Sequence, residues 1–273
     1  MTKIKHFNKL NEYITSNTWR VFFNQFLDQI PYSELRDKEY LEVIGATYRI
    51  LPENYLMSNN SSLINPKKLY ALFKWYKKGD SKDTSIVQYF PEYEHRVDFF
   101  HSDFNSNYGI YAYKKKGIVR CAHELIKNRN SRQACFMINN NEAMSEDSID
   151  KLCTNAIMFF IRDNMLNMCI QMRSSNILTM LPYDIFMFCV FYYQVLEMVS
   201  SKYHDLDTGV ITMQVGSLHM YKKDMEEIKS TKPLLKIGID GSYLYGGMIP
   251  YRYAHTKITP AIENILKQLA ENG

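Results

Sequence analysis

The segment IFMFCVFYYQVLEMV, residues 185–199, constrains the fold more than any other. It is apolar on nearly every helical position, so a helix here has no face to give to water and must be enclosed on all sides. Its unbroken apolar run, Ile185 to Tyr193, is far shorter than the roughly 20 residues that cross a bilayer. Enclosure in a globular core remains, with a sheet on one side and further elements on the other. A chain of 273 residues is long enough to supply them.

The strands are legible from period-two alternation. In MLNMCIQM (165–172), Leu166, Met168, Ile170 and Met172 share one face. TNAIMFFI (154–161) precedes it across a turn at Arg162, Asp163 and Asn164. YLEVIGATYRI (40–50) reads as a strand in which Gly45 marks a bulge or a close backbone approach. QACFMIN (133–139), GVITMQV (209–215) and LLKIGID (234–240) are further strands.

Helices are predicted over 6–30, from Asn65-Pro66 to Lys78, over 119–130, and from Thr259-Pro260 to about Leu269. Pro182 suits the first turn of the central helix. Leu69, Leu72, Phe73 and Tyr76 form the apolar stripe of the second helix, which Gly79-Asp80 stops. Residues 80–112 are irregular and rich in aromatics, which is uncommon unless the stretch has a task. The strict βαβ rhythm is missing. The prediction is therefore an α+β fold: a single domain over residues 1–273 with one large, mixed and mostly antiparallel sheet covered by helices.

Composition narrows the function classes. A net charge of +4 is mild. Lys114, Lys115 and Lys116 read as a solvated tip rather than a nucleic-acid stripe. Five cysteines, an odd count without metal-ligand spacing, argue for a reducing compartment and against a disulfide framework or a metal site. The N-terminus MTKIKHFNKLNEY has no apolar signal core, so a soluble cytoplasmic protein is expected, with neither membrane nor nucleic acid as partner.

QMRSSNILTMLPYD (171–184) is polar between two of the most apolar stretches of the chain. Buried charges without partners cost several kcal/mol, so Arg173, Ser174, Ser175, Asn176 and Asp184 meet one another or meet a ligand. Arg173 with the following hydroxyls is phosphate chemistry or a solvated strand end. Asp184 is a helix cap or a group that faces a polar heterocycle. Cys153, at a loop-to-strand junction, is a nucleophile or a small core hydrophobe. His219 and Tyr221 alternate along VGSLHMY (215–221) and share a face, where they hold a sugar hydroxyl or pack as ordinary side chains. Arg132 starts a strand and faces a ligand or solvent.

The ordered motifs EVIGATY (42–48), KWYKK (74–78), NSNYG (105–109), NSRQ (130–133), LCTN (152–155), IRD (161–163), MRSSN (172–176) and VGSLHMY resemble the thymidylate synthase superfamily. Within it they are most similar to the deoxycytidylate hydroxymethylase branch of T-even bacteriophages. The resemblance runs from about residue 37 to 225 and is patchy between the motifs.

It implies an obligate homodimer that acts on a pyrimidine nucleoside monophosphate with methylenetetrahydrofolate as one-carbon donor. Cys153 matches the nucleophile that adds to carbon 6 of the base. Arg173 and Ser174 match phosphate ligands, and Arg132 matches an arginine reaching the phosphate of the other subunit. His219 and Tyr221 match the pair on the sugar 3′-hydroxyl, and Tyr108 a tyrosine lining the site. Trp75 and Asn176 fall at positions on the folate side. Asp184 stands where synthases carry asparagine. A carboxylate accepts from the cytosine amino group and shares a proton with ring nitrogen 3, so it favours cytosine over uracil.

Three positions depart from the family pattern. Leu72 replaces a catalytic glutamate, Asn176 replaces a folate-binding aspartate, and Gln133 stands where many relatives have an arginine. The implied activity is carbon-5 hydroxymethylation of dCMP or CMP. The alternatives are folate-independent chemistry on the same fold and a catalytically silent nucleotide-binding homodimer.

Overall fold

The computed structural model describes residues 13–14, 40–52, 65–96, 103–139 and 149–224, with individual residues between 260 and 271. Among them the strands are β1 (Tyr13–Ile14), β2 (Tyr40–Ile50), β3 (Cys135–Met137), β4 (Thr154–Arg162), β5 (Met165–Asn176) and β6 (Asp207–Tyr221). The helices are α1 (Pro66–Lys78), α2 (Gly117–Lys127) and α3 (Leu181–Ser200).

β4 and β5 form a hairpin closed by Asp163 (φ 51°) and Asn164 (φ 59°). Both residues take the left-handed conformation that a two-residue primed turn requires. The sheet order is β1-β2-β6-β5-β4-β3. β2 with β6, β4 with β5 and β3 with β4 pair antiparallel, while β5 with β6 and β1 with β2 pair parallel. The parallel β5–β6 pairing needs a crossover, and α3 supplies it. Tyr192 fixes α3 to both strands: its hydroxyl donates to the Leu166 carbonyl at 2.7 Å and accepts the Gly209 N–H at 2.9 Å.

As its composition demanded, α3 is buried along nearly its whole length. Each large side chain it encloses contributes about 1.5–3 kcal/mol relative to exposure. α1 begins and ends as predicted. The Asn65 side chain accepts from the Lys67 and Lys68 N–H groups, and Gly79 ends the helix at φ 58°. The Asn65 N–H donates to the Tyr183 hydroxyl at 3.0 Å, which ties the start of α1 to the start of α3. Leu72 lies fully inside the core, as part of the apolar stripe.

Between α1 and α2 the chain forms two 3₁₀ turns, Thr84–Gln88 and Pro91–Arg96, and a π turn, Ile110–Lys114. Its rings pack edge-on: Trp75 meets Tyr93 and Phe104, and Phe90 meets Tyr183. Lys114, Lys115 and Lys116 are exposed, in agreement with a solvated tip.

Some expected elements differ in the structure or lie outside the described residues. The helix over 6–30 lies outside the described residues except at Tyr13–Ile14, which are a strand paired with Arg49–Ile50. No helix runs through those two residues, because their backbone groups satisfy the edge of β2 instead. LLKIGID (234–240) lies outside the described residues. β3 is shorter than QACFMIN, and β6 extends beyond GVITMQV to Tyr221. The C-terminal helix is helical at Pro260 and at the described residues up to Glu271, two past Leu269, while Thr259 lies outside them. No helix among the described residues is long and apolar enough to cross a membrane.

The alternation of β2, β6 and β5 breaks at one level of the sheet. Buried Leu41 and Val43 give way to Ala46, Tyr48 and Ile50. Val215 is followed by Leu218, and Met172 by Ser175. The breaks lie side by side because Ser217 pairs with Ile44 and with Ser174. Two consecutive residues of each strand therefore turn away from the core, and on β5 these are Arg173 and Ser174. Gly45 adopts φ +71°, and a Cβ on Gly216 would lie 2.7 Å from the Arg173 carbonyl oxygen.

The stacked break makes a stability prediction. Gly45→Ala has room but is left-handed, at a cost of about 1–2 kcal/mol. Gly216→Ala must push back the Arg173 backbone, at about 1–3 kcal/mol, and should disturb the neighbouring site as well. Urea unfolding of both variants reads this, and a neutral Gly216→Ala contradicts it.

Candidate active site

Arg173 organises the site. Its Nε donates to the Leu152 carbonyl at 2.7 Å and its Nη2 to the Lys151 carbonyl at 3.0 Å. Its backbone N–H donates to the Cys153 carbonyl at 2.7 Å. The bend that precedes β4 is thus held, residue by residue, by one side chain and its own peptide. Nη1 reaches the Ser174 hydroxyl at 3.1 Å, and that hydroxyl donates to Cys153 Sγ at 3.8 Å. Arg173 stays exposed, and a guanidinium has five N–H donors. Donors therefore remain to receive an anion beside the thiol.

Tyr108 and Asp184 approach from the other side. Both are 4% exposed. Asp184 lies in the first turn of α3, with its N–H on the Met180 carbonyl at 2.9 Å. The Tyr108 ring stacks on Phe188, with 6.3 Å between centroids and 8° between planes. Burial first, then the charges of Asp184 and Cys153, hold its phenol well above the usual tyrosine range. That coupling places Tyr108 within electrostatic reach of both. Tyr48 and Tyr76 are also raised by burial and by Asp184. All three hydroxyls keep their protons at neutral pH and so can donate.

His219 and Tyr221 pack edge to face at 5.3 Å along β6. In the sheet register His219 sits between Asn176 of β5 and Glu42 of β2. The level of Arg173 and Ser174 lies just below it. The structure therefore brings Cys153, Arg173, Ser174, Tyr108 and Asp184 together, with His219 and Tyr221 on the adjoining strand.

Two sequence-selected residues have their polar groups already engaged. The Trp75 indole N–H donates to the Asp83 carbonyl at 2.8 Å, and its ring is 2% exposed. Asn176 Oδ1 accepts the Leu178 and Thr179 N–H groups at 2.9 and 3.2 Å, while Nδ2 donates to Asp224 Oδ2 at 3.0 Å. Trp75 has no open ring face, and Asn176 has its acceptor oxygen taken and keeps only an N–H where the N–H/NH₂ pair of a folate ring needs acceptors, so these two residues do not fit that group. Arg132 is exposed just before the edge strand β3, whose first residue, Cys135, pairs with Met158, well along β4 from the thiol. Reasoning from sequence missed Asp150 and Asp224, both buried. Asp150 fell in a polar stretch that reads as loop, and no local pattern announces its burial.

The sequence model of the family described as thymidylate synthase matches residues 85–234, more than half of the chain. The chain belongs to the thymidylate synthase family. It is 26% identical over 200 residues to the deoxycytidylate 5-hydroxymethyltransferases of Enterobacteria phages T4, T2 and T6, covering 67% of this chain and 76% of each relative. The family match contains Tyr108, Arg132, Cys153, Arg173, Asp184, His219 and Tyr221. Leu72 and Trp75 lie before it.

Thiol reactivity distinguishes this geometry from a buried structural cysteine. Burial pushes Cys121 up to about 12 and raises Cys135 and Cys169, which holds back their thiolates at pH 8. Cys189 is buried, whereas Cys153 is partly exposed beside a cation and a hydroxyl. Peptide mapping after brief iodoacetamide treatment at pH 8 should find Cys153 modified well before Cys121, whose labelling should grow as pH rises. Equal rates contradict the assignment.

Proposed function

We propose that this chain is a one-carbon transferase acting at carbon 5 of a cytidine monophosphate, dCMP or CMP, with Cys153 as the covalent nucleophile. The observation that carries the reading is the Arg173 clamp, which presents the Cys153 thiol and an anion-binding guanidinium on one bend. Tyr108 couples electrostatically both to Asp184, in the first turn of α3, and to the Cys153 thiol. The family match and the names of the phage relatives agree with this class of chemistry.

The steps follow from the donors and acceptors. The nucleotide phosphate takes the remaining Arg173 donors and the Ser174 hydroxyl, which fixes the base over Cys153. The sulfur adds to carbon 6, the ring 5,6 double bond opens, and carbon 5 becomes electron-rich. Asp184 accepts from the 4-amino group and shares a proton with nitrogen 3, so the negative charge is spread over a protonated ring. Tyr108, held as a neutral phenol, donates in the same space. His219 and Tyr221 hold the sugar. Carbon 5 is then ready for an electrophile, and in its absence exchanges its hydrogen with solvent.

A homodimer completes the reading. The outward face of the sheet carries Ile44 at 61% exposure with half-buried Met158 and Phe160, the latter beneath the Arg162 guanidinium. A second copy on this face would bring Arg132 of the partner subunit toward the phosphate. The single domain over 1–273 belongs to the same proposal. The family's donor is methylenetetrahydrofolate, but Asn176 and Trp75 do not fit it. That observation, with Leu72 in the core, favours a second reading in which the same activated carbon 5 serves folate-independent chemistry.

The test is hydrogen-deuterium exchange at carbon 5 of dCMP and CMP, with dUMP as control. Wild-type protein should exchange a cytidine nucleotide and Cys153→Ser should not. Asp184→Asn should move the preference toward dUMP by about ten-fold or more, since leaving a buried polar group unpaired costs roughly 1–3 kcal/mol. Exchange that survives in Cys153→Ser removes the covalent step, and an unchanged base preference removes Asp184 from base recognition.

A further inference from the structure

We propose that Asp150 is a positioning residue: its carboxylate fixes the Tyr108 loop against the bend that carries Cys153. The inference rests on the proposed site for its catalytic meaning, but its geometry stands on its own. Asp150 is 2% exposed, a depth at which a carboxylate persists only when firmly held. Its Oδ2 accepts the Ser106 N–H at 2.7 Å, a buried charge-assisted bond across 44 residues of sequence.

Both ends of this bond lead to the site. On one side, the Ser106 carbonyl accepts the Tyr108 N–H at 2.9 Å. On the other, Asp150 is followed by Lys151, Leu152 and Cys153, whose carbonyls Arg173 holds. The loop is also pinned from α1. Asn107 Oδ1 accepts the Gly109 N–H at 3.1 Å, and Nδ2 donates to the Trp75 carbonyl at 3.1 Å. Gly109 packs so closely on α1 that a Cβ there would collide with the Tyr76 backbone. Tyr108 thus hangs between two fixed points, α1 and the Cys153 bend, and Asp150 is the link to the second. This acid on the segment of Cys153 holds the bend and the tyrosine in register.

Position and charge can be separated by two substitutions. Asp150→Asn keeps an acceptor oxygen in place and removes the charge. Asp150→Glu keeps the charge and moves the acceptor by about 1.5 Å, one carbon–carbon bond. Three readouts are taken on each full-length variant: Cys153 alkylation rate without nucleotide, carbon-5 exchange rate, and nucleotide affinity.

Asp150→Asn, which keeps the acceptor in place with a weaker bond, should stay within a few-fold of wild type in all three. Asp150→Glu should alter the alkylation rate and lower the exchange rate by about 10²-fold, the effect of an ångström-scale misplacement. Its nucleotide affinity should fall far less than its exchange rate, because Asp150 reaches the phosphate ligand only through the bend that Arg173 shares, and the sugar ligands lie on β6. Loss of rate in Asp150→Asn, or wild-type rates in Asp150→Glu, overturns the proposal. So does an affinity that falls as far as the rate, which marks a merely structural role. Should Asp150→Glu not fold, Asp150→Ala beside Asp150→Asn carries the same comparison. A wild-type protein that exchanges nothing refutes the proposed function instead, and the alkylation rates then decide the positioning role.

Discussion

One guanidinium joins the two halves of this site. Arg173 holds the carbonyls of Lys151 and Leu152, touches the Ser174 hydroxyl, and through its own peptide N–H holds the Cys153 carbonyl. Hydrogen bonds to a charged donor contribute about 1.5–3 kcal/mol, more than a neutral pair. The bend before β4 has no regular backbone partners, so without these bonds its carbonyls would lack donors. The same residue that builds the bend also offers an anion its remaining donors. The shape of the site and the phosphate grip proposed for it therefore have one physical origin.

Arg173 can do this because the sheet breaks its alternation where it sits. On a regular strand Arg173 and Ser174 would face opposite sides. The stacked break across β2, β6 and β5 turns both outward, and glycines at 45 and 216 make it sterically possible. Behind it, α3 fills the core and brings Asp184 to the site from its first turn. The apolar helix is thus more than filler: its burial fixes the position of Asp184, the carboxylate proposed to read the base. Asp150 extends the same logic, since a buried acid three residues before Cys153 bonds the loop bearing Tyr108.

The sequence was most legible where local chemistry is strong. The Asn65 cap, the Gly79 stop, the Asp163-Asn164 turn and the all-round apolar α3 follow from propensity and periodicity, and the structure has each. Cys153, Arg173, Ser174, Tyr108 and Asp184 were chosen from motifs, and the fold does bring them together. What escaped is non-local. Asp150 bonds a residue 44 positions away and Asn176 bonds Asp224 across 48, so neither contact leaves a periodic trace. Trp75 was selected by its motif, but its indole is held by Asp83 inside an aromatic cluster. Tyr13–Ile14 pair with an edge strand that only tertiary structure supplies.

The most direct measurement is a crystal structure of the protein soaked with dCMP. The account predicts the phosphate on Arg173 and Ser174, the 4-amino group on Asp184, and Cys153 Sγ beneath carbon 6 at bonding distance or at the roughly 3–3.5 Å of a reactive approach. A nucleotide bound with its phosphate elsewhere, or with its base edge away from Asp184, would contradict it.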